Sequence, residues 1–509
     1  MKAHLMFPDR DFDLEAAPPP NHEVLIQDLE LKTIFQAMGG GDEFSFQVAR
    51  QAFLCGLQCD VDTILYRQTV LRDCLKNQAL VKSIYDLAVE AQLRKQKQWF
   101  GVLSKNPAGV LSGAVELLKI LAGILERLRL LGRENAKHFE SAGFRNFFQR
   151  LQAELPDDYF EKIRSYLKDL DFPEGVQVSA SLGELNQGLD YMLRRTVQPK
   201  TGLFQRLFKD SSAGLSFQIA ERDEVGTQAL SELRDRGLNL VANSLAQASD
   251  HVMSFFTMLR AELAFYLGCA RLHGLYTQRQ VAICFPTPLP PRSRRHQGIA
   301  LRDASLVLSI DSQVVGNEFE GDGKNLVIIT GANRGGKSTF LRAIGLAQVM
   351  MQCGMFVTAE TFTADLCRNV LTHYKREEDT TMQSGKFDEE LKRMSEMVDA
   401  LKPDSLLLFN ESFAATNERE GSEIARQIVN ALVERPLKVF FVTHFFEFAT
   451  SYLKDSGNRV LFLRAGRETS GQRTFKLEPG EPLDTSFGAD LYEQIFGQKA
   501  QSRVPAPVA

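Results

Sequence analysis

The sequence has almost no net charge: 60 Lys and Arg stand against 64 Asp and Glu, leaving −4 over 509 residues. A uniformly basic nucleic-acid coat is thereby excluded, although a local basic stripe is not. A cysteine framework is also missing. The seven cysteines, at 55, 59, 74, 269, 284, 353 and 367, form no CxxC pair, and no His partners Cys55 and Cys59. They read as small buried groups, reduced in a cytosolic compartment. His4, Asp9, Arg10, Asp11, Asp13 and Glu15 crowd the first fifteen residues, which is no signal-peptide pattern. The most apolar stretch, 110–125, is interrupted by Glu116 and Lys119 and reads as too short and too charged to span a bilayer. Internal repeats, low-complexity tracts and a nuclease-like His/Asp cluster are absent too. These absences predict a cytoplasmic protein without a membrane partner.

What is present is the balance of a globular chain, 44% hydrophobic and 24% charged, with length for roughly three domains of ~150 residues. Residues 1–24 read as a flexible tail, set off by the stiff run Ala16-Ala17-Pro18-Pro19-Pro20-Asn21. From 25 to 285 the pattern is helical: Phe46, Ala49, Ala52 and Phe53 recur at three and four residues, and amphipathic segments cover 80–100, 111–131 and 144–155. The segment 175–183 instead alternates with period two, which marks a strand, and Pro199-Lys200-Thr201-Gly202 supplies a turn. A small β-containing insert is therefore expected at about 172–220. Arg194, Arg195, Lys200, Arg206 and Lys209 follow with no acid among them and Phe204 and Phe208 interleaved. That run is either a solvated basic face or a patch that contacts phosphates. No proline occurs between Pro199 and Pro286, and 224–272 keeps an apolar stripe through Leu230, Leu245, Phe256 and Leu263. One helix of that length extends roughly 70 Å; the alternative, given Gly226 and Gly237, is two helices in a bundle. Pro286, Pro288, Pro290 and Pro291 open a connector, 286–324. Short apolar β runs then alternate with helices over 325–497, the grammar of an α/β domain with a mostly parallel sheet, and 498–509 reads as a second tail.

The most specific motif is Gly331-Ala332-Asn333-Arg334-Gly335-Gly336-Lys337-Ser338, a full match to G-x-x-x-x-G-K-[ST]. The apolar run Leu326-Val327-Ile328-Ile329 leads into it and a helix leads out from Thr339. Glycines there let backbone N–H groups turn toward one point, where a helix N-terminus adds positive potential. Lys337 is expected on the β- and γ-phosphates and Ser338 on Mg²⁺, so the chain is read as binding ATP. Leu406-Leu407-Leu408-Phe409-Asn410-Glu411 supplies an apolar strand ending in an acid. Glu411 fits a general base that polarises water, and Asn410 fits a group that holds the metal through a water. Val439-Phe440-Phe441-Val442-Thr443-His444 ends in a candidate γ-phosphate sensor, His444. Ser384-Gly385 before an amphipathic helix offers further donors, from a partner subunit in composite sites.

Together these residues resemble the MutS family of DNA mismatch-repair ATPases. Gly331, Asn333, Gly335-Gly336 and Lys337-Ser338-Thr339 are similar to its TGPNMGGKST, with Ala332 and Arg334 in place of Pro and Met. Asn410-Glu411, then Thr416-Asn417 and Glu420-Gly421, keep the spacing of its DExGRGTSTxDG. Phe413, Ala414 and Ala415 stand where that pattern has its glycines and arginine. Thr443-His444 with Glu447 resembles THxxEL, Ser486-Phe487-Gly488 its SYG, and Val315-Gly316-Asn317-Glu318 its VPND. The resemblance is strong over about 300–497 and weaker over 25–275. It implies a multidomain chain: an all-α core and lever region with a clamp-like β insert, then a P-loop ATPase domain of ABC type. It also implies nucleotide contacts from Asn317 and from Ser384 in trans, and a homodimer with composite ATP sites. About 25 residues precede the core, which leaves no room for the family's mismatch-reading and connector domains, and the short end after Gly497 leaves none for a helix-turn-helix.

Two functions follow as expectations. The first is a dimeric ATPase, slow and DNA-stimulated, that binds mismatched or otherwise structured DNA in repair or recombination near the nucleoid. The second is a nucleotide-gated structural or adaptor protein that acts on a protein partner without touching DNA.

Overall fold

The computed structural model describes residues 1–56, 60–99, 106–172, 175–195, 218–220, 222–376, 385–455, 459–467 and 473–483. Four helices lead, α1 (His22–Asp28), α2 (Leu31–Gly39), α3 (Glu43–Gly56) and α4 (Val61–Lys76), followed by α5 (Gln78–Trp99), α6 (Pro107–Asn135), α7 (Ala142–Glu154) and α8 (Asp157–Asp169). A hairpin, β1 (Gln177–Leu182) and β2 (Gly188–Arg194), precedes α9 (Glu224–Gln278). Then come β3 (Thr287–Leu289), β4 (His296–Leu301), α10 (Ala304–Ser309), β5 (Asn317–Glu320), β6 (Leu326–Thr330), α11 (Lys337–Gln352), β7 (Thr361–Asp365) and β8 (Val370–Tyr374). The last elements are α12 (Lys386–Asp399), β9 (Leu406–Asn410), α13 (Glu418–Val433), β10 (Lys438–Val442), α14 (Phe446–Asp455), β11 (Val460–Arg467) and β12 (Arg473–Pro479).

The chain forms two compact units: 1–3, 79–140 and 144–260 make one, and 4–78, 141–143 and 261–509 the other. This division differs from the sequence reading of a helical body 25–285 followed by an ATPase domain. Residues 4–78 pack with the α/β elements, and α9 is one continuous helix of 55 residues that contributes to both units. At 1.5 Å per residue it is roughly 80 Å long, so Gly226 and Gly237 do not divide it.

In the first unit, α6 starts where local chemistry demands. Asn106 accepts the Gly109 N–H at 2.8 Å and Pro107 sits in the first turn, where a missing N–H costs nothing. Its buried stripe, Leu111, Val115, Leu121, Ile124, Leu125 and Leu128, follows helical spacing. Leu111 and Val115 pack with Leu167 of α8 and Leu238 and Ala242 of α9. The sequence reading judged this apolar run too short to cross a bilayer; as Pro107–His138 and as Glu224–Gln278, two helices do have the length and apolar composition required. The alternation at 175–183 is borne out by β1, which pairs antiparallel with β2 in the register Val178↔Leu193 and Leu182↔Gly188.

In the second unit a six-stranded sheet runs β12-β11-β6-β10-β9-β8, parallel except for β12, which pairs antiparallel with β11. Leu326–Thr330 is buried throughout, as a central parallel strand covered on both faces must be. Period two sorts the strand residues. Leu326, Ile328, Leu407, Phe409, Val439 and Phe441 pack with α12, α13 and α14 through Met394, Val429 and Phe448. On the other face α11 lies against β9, so closely that a Cβ on Gly345 would come within 2.7 Å of Leu408. A second, mixed sheet, β3-β7-β4-β5, includes Thr287–Leu289, which falls within the connector expected at 286–324.

The reading of 1–24 as a flexible tail is corrected. Leu5 and Met6 are fully buried and Phe12 nearly so. Glu262, on α9, accepts the N–H groups of Leu5 (2.6 Å) and Phe12 (3.3 Å). Arg67 Nε donates to the Met6 carbonyl at 2.8 Å, and the Tyr66 and Tyr266 hydroxyls to those of His4 and Leu5, each at 2.7 Å. A run dense in charged residues looked like a tail because what holds it lies far away in sequence.

Candidate functional site

The chemistry-bearing residues collect at the carboxyl ends of β6, β9 and β10, where open α/β sheets place their ligands. After β6 the backbone turns through Gly331 (φ 115°), Arg334 (φ 59°) and Gly336 (φ 91°). A Cβ at Gly331 would also lie 2.9 Å from the Ala465 backbone, so the loop needs glycine there on two counts. Lys337 opens α11, and its buried ammonium donates to the carbonyls of Gly331 (2.8 Å) and Ala332 (3.1 Å). Burial lowers the Lys337 pKa, which the nearby Glu411 carboxylate opposes and Arg473 reinforces.

Ser338 follows on α11 and its hydroxyl donates to Asn410 Oδ1 at 2.8 Å. This hydrogen bond brings together the two residues read from sequence as metal-binding. A hydroxyl and a neutral amide oxygen are hard donors, suited to Mg²⁺ where phosphates supply the charge. Among the described residues no group of three or more His, Cys, Asp and Glu converges as a separate metal centre. Glu411 is set just past β9 by its own N–H, which donates to the Val442 carbonyl at 2.9 Å. With Arg334, Gly335, Gly336, Lys337, Ser338 and Thr339 it lines a cavity of ≈ 330 Å³.

Other sequence-predicted residues fare differently. Asn317 lines the cavity, but its amide is engaged by β12: it accepts the Leu477 N–H at 2.7 Å and donates to the Phe475 carbonyl at 3.2 Å. Its place is therefore to fix β12 beside the loop. Gly331 and Asn333 belong to the loop without lining the cavity, and Asn333 is exposed. His444 stands two residues beyond Val442, exposed and against Phe445, and does not reach the cavity wall. Ser384 lies outside the described residues, as do Lys200, Arg206 and Lys209. Arg194 donates to the Ser179 hydroxyl at 2.8 Å, and Arg195 pairs with Asp169 at 2.8 Å.

Sequence reasoning missed one wall of the cavity. Leu306, Ile310, Val314, Val315 and Phe475 give it an apolar side with an aromatic ring, the surface a flat heteroaromatic base needs. The available signal was the alternation of β12, Arg473-Thr474-Phe475-Lys476-Leu477, at the sheet edge.

Comparison with known proteins matches two parts of the chain to family models: residues 59–279 to the MutS2 N-terminal domain and 327–491 to MutS domain V. The chain is a member of the MutS family. The domain V match of this MutS-family chain contains the whole cavity loop, Asn410-Glu411 and His444, and the other contains α9 entire. The chain is 31% identical over 193 residues to the MutS protein homolog 4 of Homo sapiens, 36% of this chain and 21% of that protein. Against the DNA mismatch repair protein MutS of Chloroflexus aurantiacus identity is 27% over 275 residues, 52% and 28% of the two chains. Against that of Thermus aquaticus it is 28% over 273 residues, 53% and 32%. The match thus spans between a fifth and a third of the length of these curated relatives.

Proposed function

We propose that this MutS-family chain binds and hydrolyses ATP, slowly and faster on DNA, as a homodimer with composite sites, and that it holds mismatched or otherwise structured DNA in repair or recombination. The observation that carries the reading is the convergence of Lys337, Ser338 and Glu411 on one cavity at the strand ends, with Asn410 hydrogen-bonded to Ser338 behind it. In this reading the Lys337 ammonium leaves the Gly331 and Ala332 carbonyls for the phosphates, an exchange of neutral acceptors for charged ones. Ser338 and, through a water, Asn410 would hold Mg²⁺, which would neutralise phosphate charge. Glu411 takes the proton of the attacking water. The apolar wall with Phe475 receives the base.

The test is the ATPase rate measured against a panel of DNA structures with oligomeric state followed in parallel. Lys337→Ala should lower nucleotide affinity by about 100-fold and Glu411→Gln should lower turnover by about 100-fold with binding retained. Unchanged turnover in the Glu411 variant removes that residue as the base. DNA affinity should fall steeply with salt, and salt-independent or absent binding to every duplex, branched and single-stranded probe removes the DNA reading.

The pairing of Arg195 with Asp169 favours a second reading, the nucleotide-gated adaptor, because it offsets one charge of the basic run. Nucleotide-dependent capture of a protein partner, unaffected by Arg194→Glu with Arg206→Glu, would support it over the first.

A further inference from the structure

The backbone that follows Glu411 is unusual. Glu411 (φ 52°) and Phe413 (φ 64°) both sit in the left-handed region, which is strained for residues with a Cβ. Phe413 occupies a place where the MutS pattern has glycine, so this chain holds with a bulky residue a conformation that glycine takes freely. Something must hold it there.

Two neighbouring elements do. Glu390, buried on α12, accepts the Phe413 N–H through Oε1 at 2.6 Å, and the same carboxylate interacts with the Ala415 N–H. Ser412 is fully buried. Its hydroxyl lies 2.8 Å from Nδ1 of His373, on β8, and 2.6 Å from the His373 carbonyl oxygen; its single hydrogen goes to one of them. The other ring nitrogen of His373 lies 3.2 Å from the Glu390 carbonyl, which ties β8 to α12. The ring stacks on Phe413 with centroids 5.5 Å apart. Burial, reinforced by Arg393, depresses His373 to about 4, so the ring is neutral near pH 7. Desolvation raises the Glu390 carboxyl, and the Phe413 N–H is the largest influence opposing it. A buried carboxylate and imidazole are costly to keep in a core unless their partners are fixed; here the carboxylate's are the Phe413 and Ala415 N–H groups and the imidazole's are the Ser412 hydroxyl and the Glu390 carbonyl.

We propose that Glu390 and His373 are positioning residues for Glu411: they hold 412–415 against its backbone strain and so keep the Glu411 carboxylate on the cavity wall. The inference rests on the hydrolytic reading of Glu411. Because Glu390 lies in the first turns of α12, a shift of that helix is passed through one carboxylate to the catalytic loop, which ties turnover to the position of α12.

The experiment uses the full chain and three variants, Glu390→Ala, Glu390→Gln and Ser412→Ala. Glu390→Ala should lower kcat about tenfold or more while nucleotide affinity stays within about twofold, and Glu390→Gln, which keeps one acceptor oxygen, should lose less. Amide hydrogen exchange of the 411–416 peptide gives an arm independent of turnover: protected in the unaltered chain, accelerated in Glu390→Ala, partly restored in Glu390→Gln. Should Glu390→Ala fail to fold, Ser412→Ala carries the same two readouts with smaller effects. Wild-type kcat or unchanged exchange in a folded variant overturns the proposal, as does a rise in KM at constant kcat. If the unaltered chain shows no ATP hydrolysis, the hydrolytic reading fails by itself, and the exchange arm still decides whether Glu390 and His373 hold the loop.

Discussion

The cavity end of the six-stranded sheet and the β1–β2 hairpin are built on opposite terms. At the sheet, polar groups are each committed to a fixed partner: buried Lys337 to the loop carbonyls, buried Glu390 to the Phe413 N–H, and the exposed Ser338 hydroxyl to Asn410. On the hairpin, Leu182, Leu185, Leu189 and Met192 are at least half exposed, and the charges nearby are satisfied by local pairs such as Arg195 with Asp169. Function that depends on fixed geometry leaves a mark in the fold, whereas a surface that meets a partner by charge and shape does not need one.

The contrast can be broken most sharply at Phe409. It is fully buried on β9 and stacked on Phe441 at 5.0 Å, so Phe409→Ala should cost about 3–5 kcal/mol in chemical denaturation. A loss below about 1 kcal/mol would mean that the sheet is less tightly packed than its burial implies.

A smaller effect tests buried charge. Glu262 is raised by burial to about 7, and its unfolded counterpart ionises first. Its contribution therefore weakens folding as pH rises from about 4.5 to about 7, by roughly 3 kcal/mol, and is constant above. His373, lowered to about 4, acts with the opposite sign: the unfolded chain takes up its proton below about 6.5, so stability falls on acidification, and buried His296 shifts the same way. Glu262→Gln should steepen the loss of stability between pH 7.5 and pH 5. Parallel pH profiles for variant and unaltered chain would show that Glu262 titrates normally.

The smallest effects belong to the hairpin. Leu185→Ser and Arg195→Ala should each change stability by less than about 0.5 kcal/mol, since Leu185 is 92% exposed and the Arg195–Asp169 pair is largely solvated. DNA affinity is the readout that separates them: loss with Arg195→Ala but not with Leu185→Ser assigns a phosphate contact, and a destabilised hairpin in either variant breaks the comparison.

How much was legible followed the distance over which residues act. The 331–338 loop and the strand end at 410–411 could be read because each carries its chemistry in consecutive residues beside an apolar strand. Continuity of α9 was left open because two glycines weaken a helix locally while packing decides it globally. Phe475 escaped notice because β12 joins the cavity only as an antiparallel edge strand, and Glu390 because one acid in the amphipathic face of α12 looks like any other. The segment 4–13 was misread outright: Leu5, Met6, Phe7 and Phe12 follow no period, and nothing near them announces Glu262.

That same segment sets a condition on biosynthesis. The Leu5 N–H donates to a carboxylate 257 positions later, so at 5–20 residues per second it waits about 13–50 s on the ribosome for its acceptor to emerge. Closing so long a loop is entropically slow as well. Throughout that interval a nascent chain displays an apolar stretch without its partners, the kind of surface that chaperones exist to cover.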